Sequence, residues 1–330
     1  MSNTPTSMRL SHSTAFGSAG NTSVTGRRPE RKVNVSRGTE CWRGEFFAMG
    51  SPCELLCETT SEKDTRSLVD TVAREAWRIE DKFSRYLTGN IIDRINSAGG
   101  AEVDVDEETG RLIAFATQLY EVSNGRFDIT SGVLRQVWKF DGSDNIPSAK
   151  SVSAVLQYVG WHRVTWSGDT LAMPPGMEID LGGVGKEYAV DRVALLVREQ
   201  SEVGCLVNFG GDLAVTAPPA RRPAWQIGIE SLQGETAGPE RVINLASGAL
   251  ATSGDARRYL KKDNIRYGHI IDPTTGWPVA DAPRSITVAA DTCVQAGMLS
   301  TLAMLEGVDA EGFLEAQDVK FWCSRGPAVA

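Results

Sequence analysis

The 330-residue chain is poor in histidine, with three, and in aromatic side chains, at 7%. It contains no run near the roughly 18 apolar residues that a membrane-crossing helix requires, so no transmembrane segment is expected. It also has no basic excess: 34 Lys and Arg against 42 Asp and Glu leave a net charge of −8. That balance argues against nucleic acid or an anionic membrane as a partner. Six cysteines stand at positions 41, 53, 57, 205, 293 and 323 without a pairing pattern. Cys53 and Cys57 are spaced neither for CxxC redox chemistry nor for a paired-CxxC zinc site. They read as buried free thiols, which fits a reducing compartment. No apolar stretch follows the start, so no secretory signal is read and a cytoplasmic location is expected. Residues 1–26 carry no acidic residue and are crowded with Ser, Thr, Gly and Asn. Residues 1–41 are therefore expected to be a disordered tail and 42–330 a single domain, with no internal repeat and no linker.

Apolar periodicity supplies the elements. Val72, Ala76, Ile79 and Phe83 share one face of a helix expected over 62–84. Leu112, Phe115, Leu119 and Val122 repeat the signal over 108–123, ended by Asn124-Gly125. Further helices are expected over 185–199 and 295–305. Phe46–Cys57 reads as a β segment broken at Gly50-Ser-Pro52. Strands are expected over 161–166, 177–181, 203–209, 212–216, 225–230, 241–246, 258–271 and 284–290. Without strict βαβ alternation, the fold class is α+β, a large mixed β-sheet packed with helices.

The chemistry gathers in glycine-rich turns. Gly268-His-Ile-Ile-Asp-Pro-Thr-Thr-Gly-Trp-Pro278 holds a His and an Asp on a rigid turn. Such a pair can take a proton and orient a polar ligand, or be a hairpin with a well-bonded His. Glu178–Asp191 runs strand, Gly-Gly-Val-Gly-Lys turn, helix, an arrangement that suits an anion at a helix start. It matches neither the dinucleotide-binding fingerprint nor the P-loop. Val207-Asn-Phe-Gly-Gly-Asp-Leu213 reads first as a hairpin. Ala246–Ala256 is small and hydroxyl-rich. Asn124–Gly132 offers Asp128 and Thr130, which an Asx turn would also explain.

Taken in order, these segments resemble the FAD:protein FMN transferases, the ApbE-like family, across roughly residues 45–307. Ala48-Met-Gly-Ser51, Phe83-Ser-Arg-Tyr86 with Ile92–Asn96, Gly125–Thr130, Asp180–Lys186, Asn208–Asp212, Thr252–Asp255 and His269–Gly276 carry the likeness. The resemblance implies an ApbE-like fold and an enzyme that takes FAD as substrate. It implies transfer of FMN to a Thr or Ser hydroxyl of a target flavoprotein, with Mg²⁺ as cofactor and AMP released. By position, Met49, Tyr86, Arg126, Phe127, Asp128, Asp180, Lys186 and Ile271 would line the FAD site. His269 would be the base for the incoming hydroxyl, and Asp272 would either orient it or cap the Pro273 turn. The Mg²⁺ ligands would be the Gly183 carbonyl and Thr301, with an Asp four residues before that Thr. Here that position is Gly297. Asp291 or Asp255 would be the nearest substitutes. The alternatives are an FAD pyrophosphatase giving FMN and AMP, and a catalytically weakened FAD-binding protein.

Overall fold

Three hairpins turn on two residues with positive φ, the backbone that matches the right-handed twist of paired strands. They are Met49-Gly50 (φ 52° and 67°), Gly210-Gly211 (63° and 105°) and Asp263-Asn264 (49° and 64°). The computed structural model describes residues 30–59, 61–230, 232, 239–255 and 258–326. The tail reading of residues 1–29 lies outside the described residues. Within its remainder, Asn34–Arg37 already pairs with Trp42–Ala48.

The described chain divides into two compact units. One comprises the residues up to Arg78 with Glu187–Leu250 and Asp291–Cys293. Its strands follow the hydrogen-bonded order Asn34–Arg37, Trp42–Ala48, Ser51–Cys57, Cys205–Phe209, Asp212–Val215 and then the start of Gly248–Gly254. Each of these ladders is antiparallel. The helix Glu62–Phe83 begins in this unit and lies close on the sheet. A Cβ on Gly44 would stand 2.1 Å from a Val69 methyl, so only glycine admits this approach. Trp77 donates its indole N–H to the Phe47 carbonyl at 2.9 Å, and Phe46 meets the rings of Trp77 and Phe209 edge-on.

The other unit comprises Ile79–Lys186, Ala251–Ala290 and the described residues from Val294 onward. Three of its helices start on side-chain caps. Asn90 caps Ile91–Asn96, Asp106 caps Glu107–Val122 and Ser148 caps Ala149–Leu156. The end of Gly248–Gly254 is followed in the sheet by Ser285–Ala290 and Lys320–Ser324. A core of Val133, Leu134, Trp138, Val152, Val155 and Leu260 is flanked by Phe140, Tyr267, Ile271 and Trp277. This core supports the His-bearing turn.

The α+β class with a large sheet holds. The four expected helices form as Glu62–Phe83, Glu107–Val122, Gly185–Gln200 and Cys293–Leu305. Three expected strands differ. Residues 161–163 form a 3₁₀ turn, leaving only Thr165–Trp166 paired. Residues 177–181 join no ladder. The Asn96 side chain takes the place of a strand, accepting from Ile179 N–H at 2.7 Å and donating to its carbonyl at 3.1 Å. The run 258–271 is a hairpin, Tyr259–Lys262 with Ile265–Gly268, followed by the short strand Ile271–Asp272.

Among the described residues no helix is long and apolar enough to cross a membrane. All six thiols are free, five of them buried. Burial raises the Cys41 thiol to about 11. A bond to Cys205, with burial, pushes Cys57 higher still.

Candidate active site

Within the Gly268–Pro278 segment, residues 271–278 form a tight hairpin in which Ile271 faces Pro278 and Asp272 faces Trp277. Gly276 (φ 75°) closes it, donating to the Asp272 carbonyl at 2.8 Å. The same glycine's carbonyl accepts from the Trp138 indole at 2.8 Å. The Asp272 carboxylate accepts from the backbone and hydroxyl of Thr274 at 2.8 and 2.6 Å. Of the two roles expected for Asp272, capping the Pro273 turn is the one its contacts describe. Ile271 packs on the Trp138 core.

His269 precedes this hairpin. Its Nδ1 is buried without a hydrogen-bond partner, and its ring meets Phe140 edge-on at 6.3 Å. Burial, then the positive charge of Arg258 and more weakly that of Lys186, lower its pKa to about 4 against the opposing pull of a hydrogen bond to the Arg258 backbone and of Asp255. The imidazole is therefore neutral near pH 7, the form able to accept a proton.

A second group forms where residues 127–132 run beside 180–183. Asp180 N–H donates to the Ile129 carbonyl at 2.8 Å. The Asp180 carboxylate accepts from Gly182 N–H at 2.9 Å and from Arg85 at 2.9 Å. Arg85 also donates to the hydroxyl of Tyr86 at 3.0 Å. A Cβ on Gly183 would stand 3.2 Å from the Phe127 ring, so that ring lies against the glycine turn. Arg126 pairs with Glu306 at 2.7 Å. Asp128 is buried, and its oxygens accept from Thr130 N–H and O–H and from Trp161 N–H at 2.6 to 2.9 Å. Those bonds hold the turn that presents Phe127. Lys186 lies in the first turn of Gly185–Gln200, where a cation at a helix start suits an anion. Met49 belongs to the other unit, in the turn between Trp42–Ala48 and Ser51–Cys57.

Residues 49–322 match the model of the ApbE family. The chain belongs to the ApbE family. It is 30% identical over 249 residues to a protein of Vibrio cholerae named FAD:protein FMN transferase, covering 74% of this chain and 75% of that one. A Haemophilus influenzae protein of the same name is 29% identical over 262 residues, covering 76% and 74%. Among solved structures, the ApbE protein of Thermotoga maritima superposes with a TM-score of 0.76 at 29% identity, covering 89% of this chain and 94% of that one. The flavin transferase ApbE of Vibrio cholerae superposes at 0.73 and 25% identity, covering 89% and 97%.

The Mg²⁺ expected in an ApbE-like site meets a neutral donor set here. Thr301 Oγ1 lies 3.2 Å from Ser253 Oγ, which lies 2.8 Å from Ser300 Oγ. Ser300 donates in turn to the Gly297 carbonyl at 3.0 Å. Asp255 is committed to Arg266 and Arg284, at 2.6 and 2.5 Å. Among the described residues no cluster of three or more His, Cys, Asp or Glu could hold a metal ion. Mg²⁺ favours at least one carboxylate among its oxygens, so these residues do not fit a Mg²⁺ held by the protein.

A carboxylate at 297 would share a helix face with Thr301 at i, i+4. Gly297→Asp is expected to melt below the wild type in EDTA and to recover in Mg²⁺, because a buried charge without a partner is costly. It should bind Mg²⁺ on the order of 10-fold or more tightly than the wild type, in line with the contribution of single metal-site groups. Calorimetric Mg²⁺ titration and melting curves with and without Mg²⁺ measure this. A variant indifferent to Mg²⁺ would refute the neutral-site account.

Sequence reasoning passed over three side chains: Arg85, Arg258 and Glu306. Arg85 stood in plain view in Phe83-Ser-Arg-Tyr86, a cation one residue from an aromatic ring. Arg258 and Glu306 gave no signal, since only the fold sets them beside His269 and Arg126.

Proposed function

We propose that this protein is an FAD:protein FMN transferase, moving FMN from FAD to a Thr or Ser hydroxyl of a target flavoprotein with release of AMP. The observation that carries this reading is the buried, unpartnered Nδ1 of His269, on an imidazole that burial and the charge of Arg258 hold neutral. A diphosphate needs its charge offset, and a hydroxyl nucleophile needs a base. Lys186 and the Gly182–Gly185 turn would hold the diphosphate. Tyr86 and Phe127 would hold the flavin side through ring contact, and Asp180 would accept hydrogen bonds from FAD hydroxyls. His269 would take the proton of the acceptor hydroxyl as its oxygen attacks the FMN-side phosphorus. The P–O bond to AMP breaks, AMP carries away the electron pair, and a phosphoester to the acceptor forms. Of the Mg²⁺ expected with Gly183 and Thr301, the protein supplies only neutral oxygens. Any such ion would depend chiefly on the diphosphate.

Incubation with FAD and a Thr-bearing flavoprotein acceptor should give flavin fluorescence that survives denaturation, a mass gain of one FMN less one water, and one AMP per transfer. No covalent flavin, with or without Mg²⁺, would sink the reading. FMN and AMP without acceptor would identify a pyrophosphatase, in which water takes the place of the hydroxyl. FAD bound and released intact would identify the weakened binder that Gly297 raises as an alternative.

A further inference from the structure

Arg85 touches two of the candidate FAD residues, Asp180 and Tyr86, at once. One of its terminal nitrogens lies 2.9 Å from Asp180 Oδ2 and donates to the Gly132 carbonyl at 3.2 Å. The other donates to the Tyr86 hydroxyl at 3.0 Å, and the guanidinium carbon sits 5.0 Å from the centre of the Tyr86 ring. The group is largely buried, and its Nε is sealed from solvent with no acceptor. A buried donor left unpaired is unfavourable. The placement is therefore dictated by the other contacts, not by full satisfaction of the guanidinium. Gly132 is part of the arrangement: a Cβ there would stand 2.7 Å from Asp180 Cβ and 3.1 Å from Arg85 Nη1. Only a residue without a side chain lets the pair close over it.

We propose that Arg85 is a positioning residue that sets Asp180 and Tyr86 together as one FAD-recognition unit. This rests on the FAD-dependent reading above. The planar fork explains why the residue is Arg: one rigid group reaches two acceptors on different segments, which a Lys ammonium on a flexible stem does not reproduce. Its effect on each partner is definite. Asp180, already held by Gly182 N–H on Oδ1, is fixed on Oδ2 as well, and each carboxylate oxygen keeps a lone pair for a ligand hydroxyl. The Tyr86 oxygen accepts from Arg85, so its own proton is left to donate to a ligand. Tyr86 is 74% exposed, and an exposed ring is ordered by the cation against it.

The test is a double-mutant cycle of Arg85→Lys with Tyr86→Phe, read by FAD binding through flavin fluorescence and by KM and kcat. Arg85→Lys should weaken FAD binding and raise KM about 10- to 100-fold, with kcat at saturating FAD within about threefold of wild type. Tyr86→Phe should weaken binding in the wild-type background and have little further effect beside Arg85→Lys. A melting curve for each variant separates loss of fold from loss of positioning. Gly132→Ala, which leaves every charge in place, should weaken FAD binding in the same direction if Arg85→Lys does not fold. Unchanged FAD affinity in Arg85→Lys, or strictly additive effects in the cycle, would overturn the proposal. A wild-type protein that binds no FAD would overturn the functional reading first, and is seen before any variant is made.

Discussion

His269→Ala is expected to slow FMN transfer by about 10²- to 10⁴-fold, the range of a positioned general base. FAD affinity should stay near that of the wild type, since the imidazole serves the acceptor. The comparison is single-turnover transfer against FAD binding in the same preparation; unchanged transfer would remove His269 from the base role. The environment of the ring adds a pH signature. With its pKa lowered from 6.5 to about 4 by burial and by Arg258 and Lys186, His269 in the free protein stays neutral down to mildly acidic pH. Binding of the anionic diphosphate offsets those cations and should move the value back up. The free and FAD-bound proteins are thus expected to titrate His269 at different pH, which NMR of the ring protons would record.

Stability follows from the same shift. The folded-state value lies below the unfolded one, so between pH 6.5 and 4 the unfolded chain binds a proton that the folded chain refuses. Stability from this group is constant above pH 6.5 and declines as pH falls through the window. It levels off below pH 4, about 3 kcal/mol lower. The wild-type-minus-His269→Ala difference in unfolding free energy should carry that slope, and a pH-independent difference would contradict it.

Asp255→Ala should be among the most destabilising single changes in the chain, at about 3–5 kcal/mol, because it leaves two guanidiniums partly buried without their counter-ion. Asp255 is 7% exposed. Its Oδ2 accepts from Arg266 at 2.6 Å, its Oδ1 from Arg284 at 2.5 Å, and its backbone carbonyl from Arg266 again at 2.6 Å. It also touches the origin of the His-bearing segment, since a Cβ on Gly268 would stand 3.2 Å from Asp255 Cβ. Thermal or urea unfolding should show the loss, and transfer activity should fall with it as the His269 turn loosens. A change below about 1 kcal/mol, the range of an exposed ion pair, would mean that the network is a surface feature.

Much of this was legible in the chain, for physical reasons that differ by element. The helix Glu62–Phe83 announces itself because its stripe of Val72, Ala76, Ile79 and Phe83 is buried throughout, whereas on Glu107–Val122 the expected stripe holds at Leu112 and Leu119 and fails at Val122, which is 69% exposed at the helix end. The hairpin at Gly210-Gly211 announces itself because positive φ restricts residue choice, whereas the break expected at Gly50-Ser-Pro52 falls at Met49-Gly50, with Ser51 and Pro52 already in the next strand, because a Met at positive φ carries no turn signal. The run at 177–181 was misread because its alternation is real while its partner is a side chain, Asn96, which no pattern of one segment can reveal. The short helices Ile91–Asn96 and Ala149–Leu156 rest on their caps and on tertiary packing more than on any stripe. The site divides in the same way. His269, Asp180 and Lys186 could be named from motifs, since the chemistry sits in the residues themselves. The neutrality of His269, the commitment of Asp255 to two arginines, and the grip of Arg85 on Asp180 and Tyr86 are properties of neighbours brought together only by folding.

The distribution of cysteine has a use of its own. Cys41, Cys53, Cys57, Cys205 and Cys293 all belong to one compact unit and are buried there, while Cys323 stands in the other, half-buried beside Glu311. The chain thus carries a separate built-in alkylation reporter in each unit. Because these five thiols are covered, with Cys41 and Cys57 also pushed well above the usual thiol range, a cysteine reagent reaches them only when the unit opens. The order in which mass-resolved adducts appear under mild denaturant therefore tells which half of the molecule yields first, with no label added.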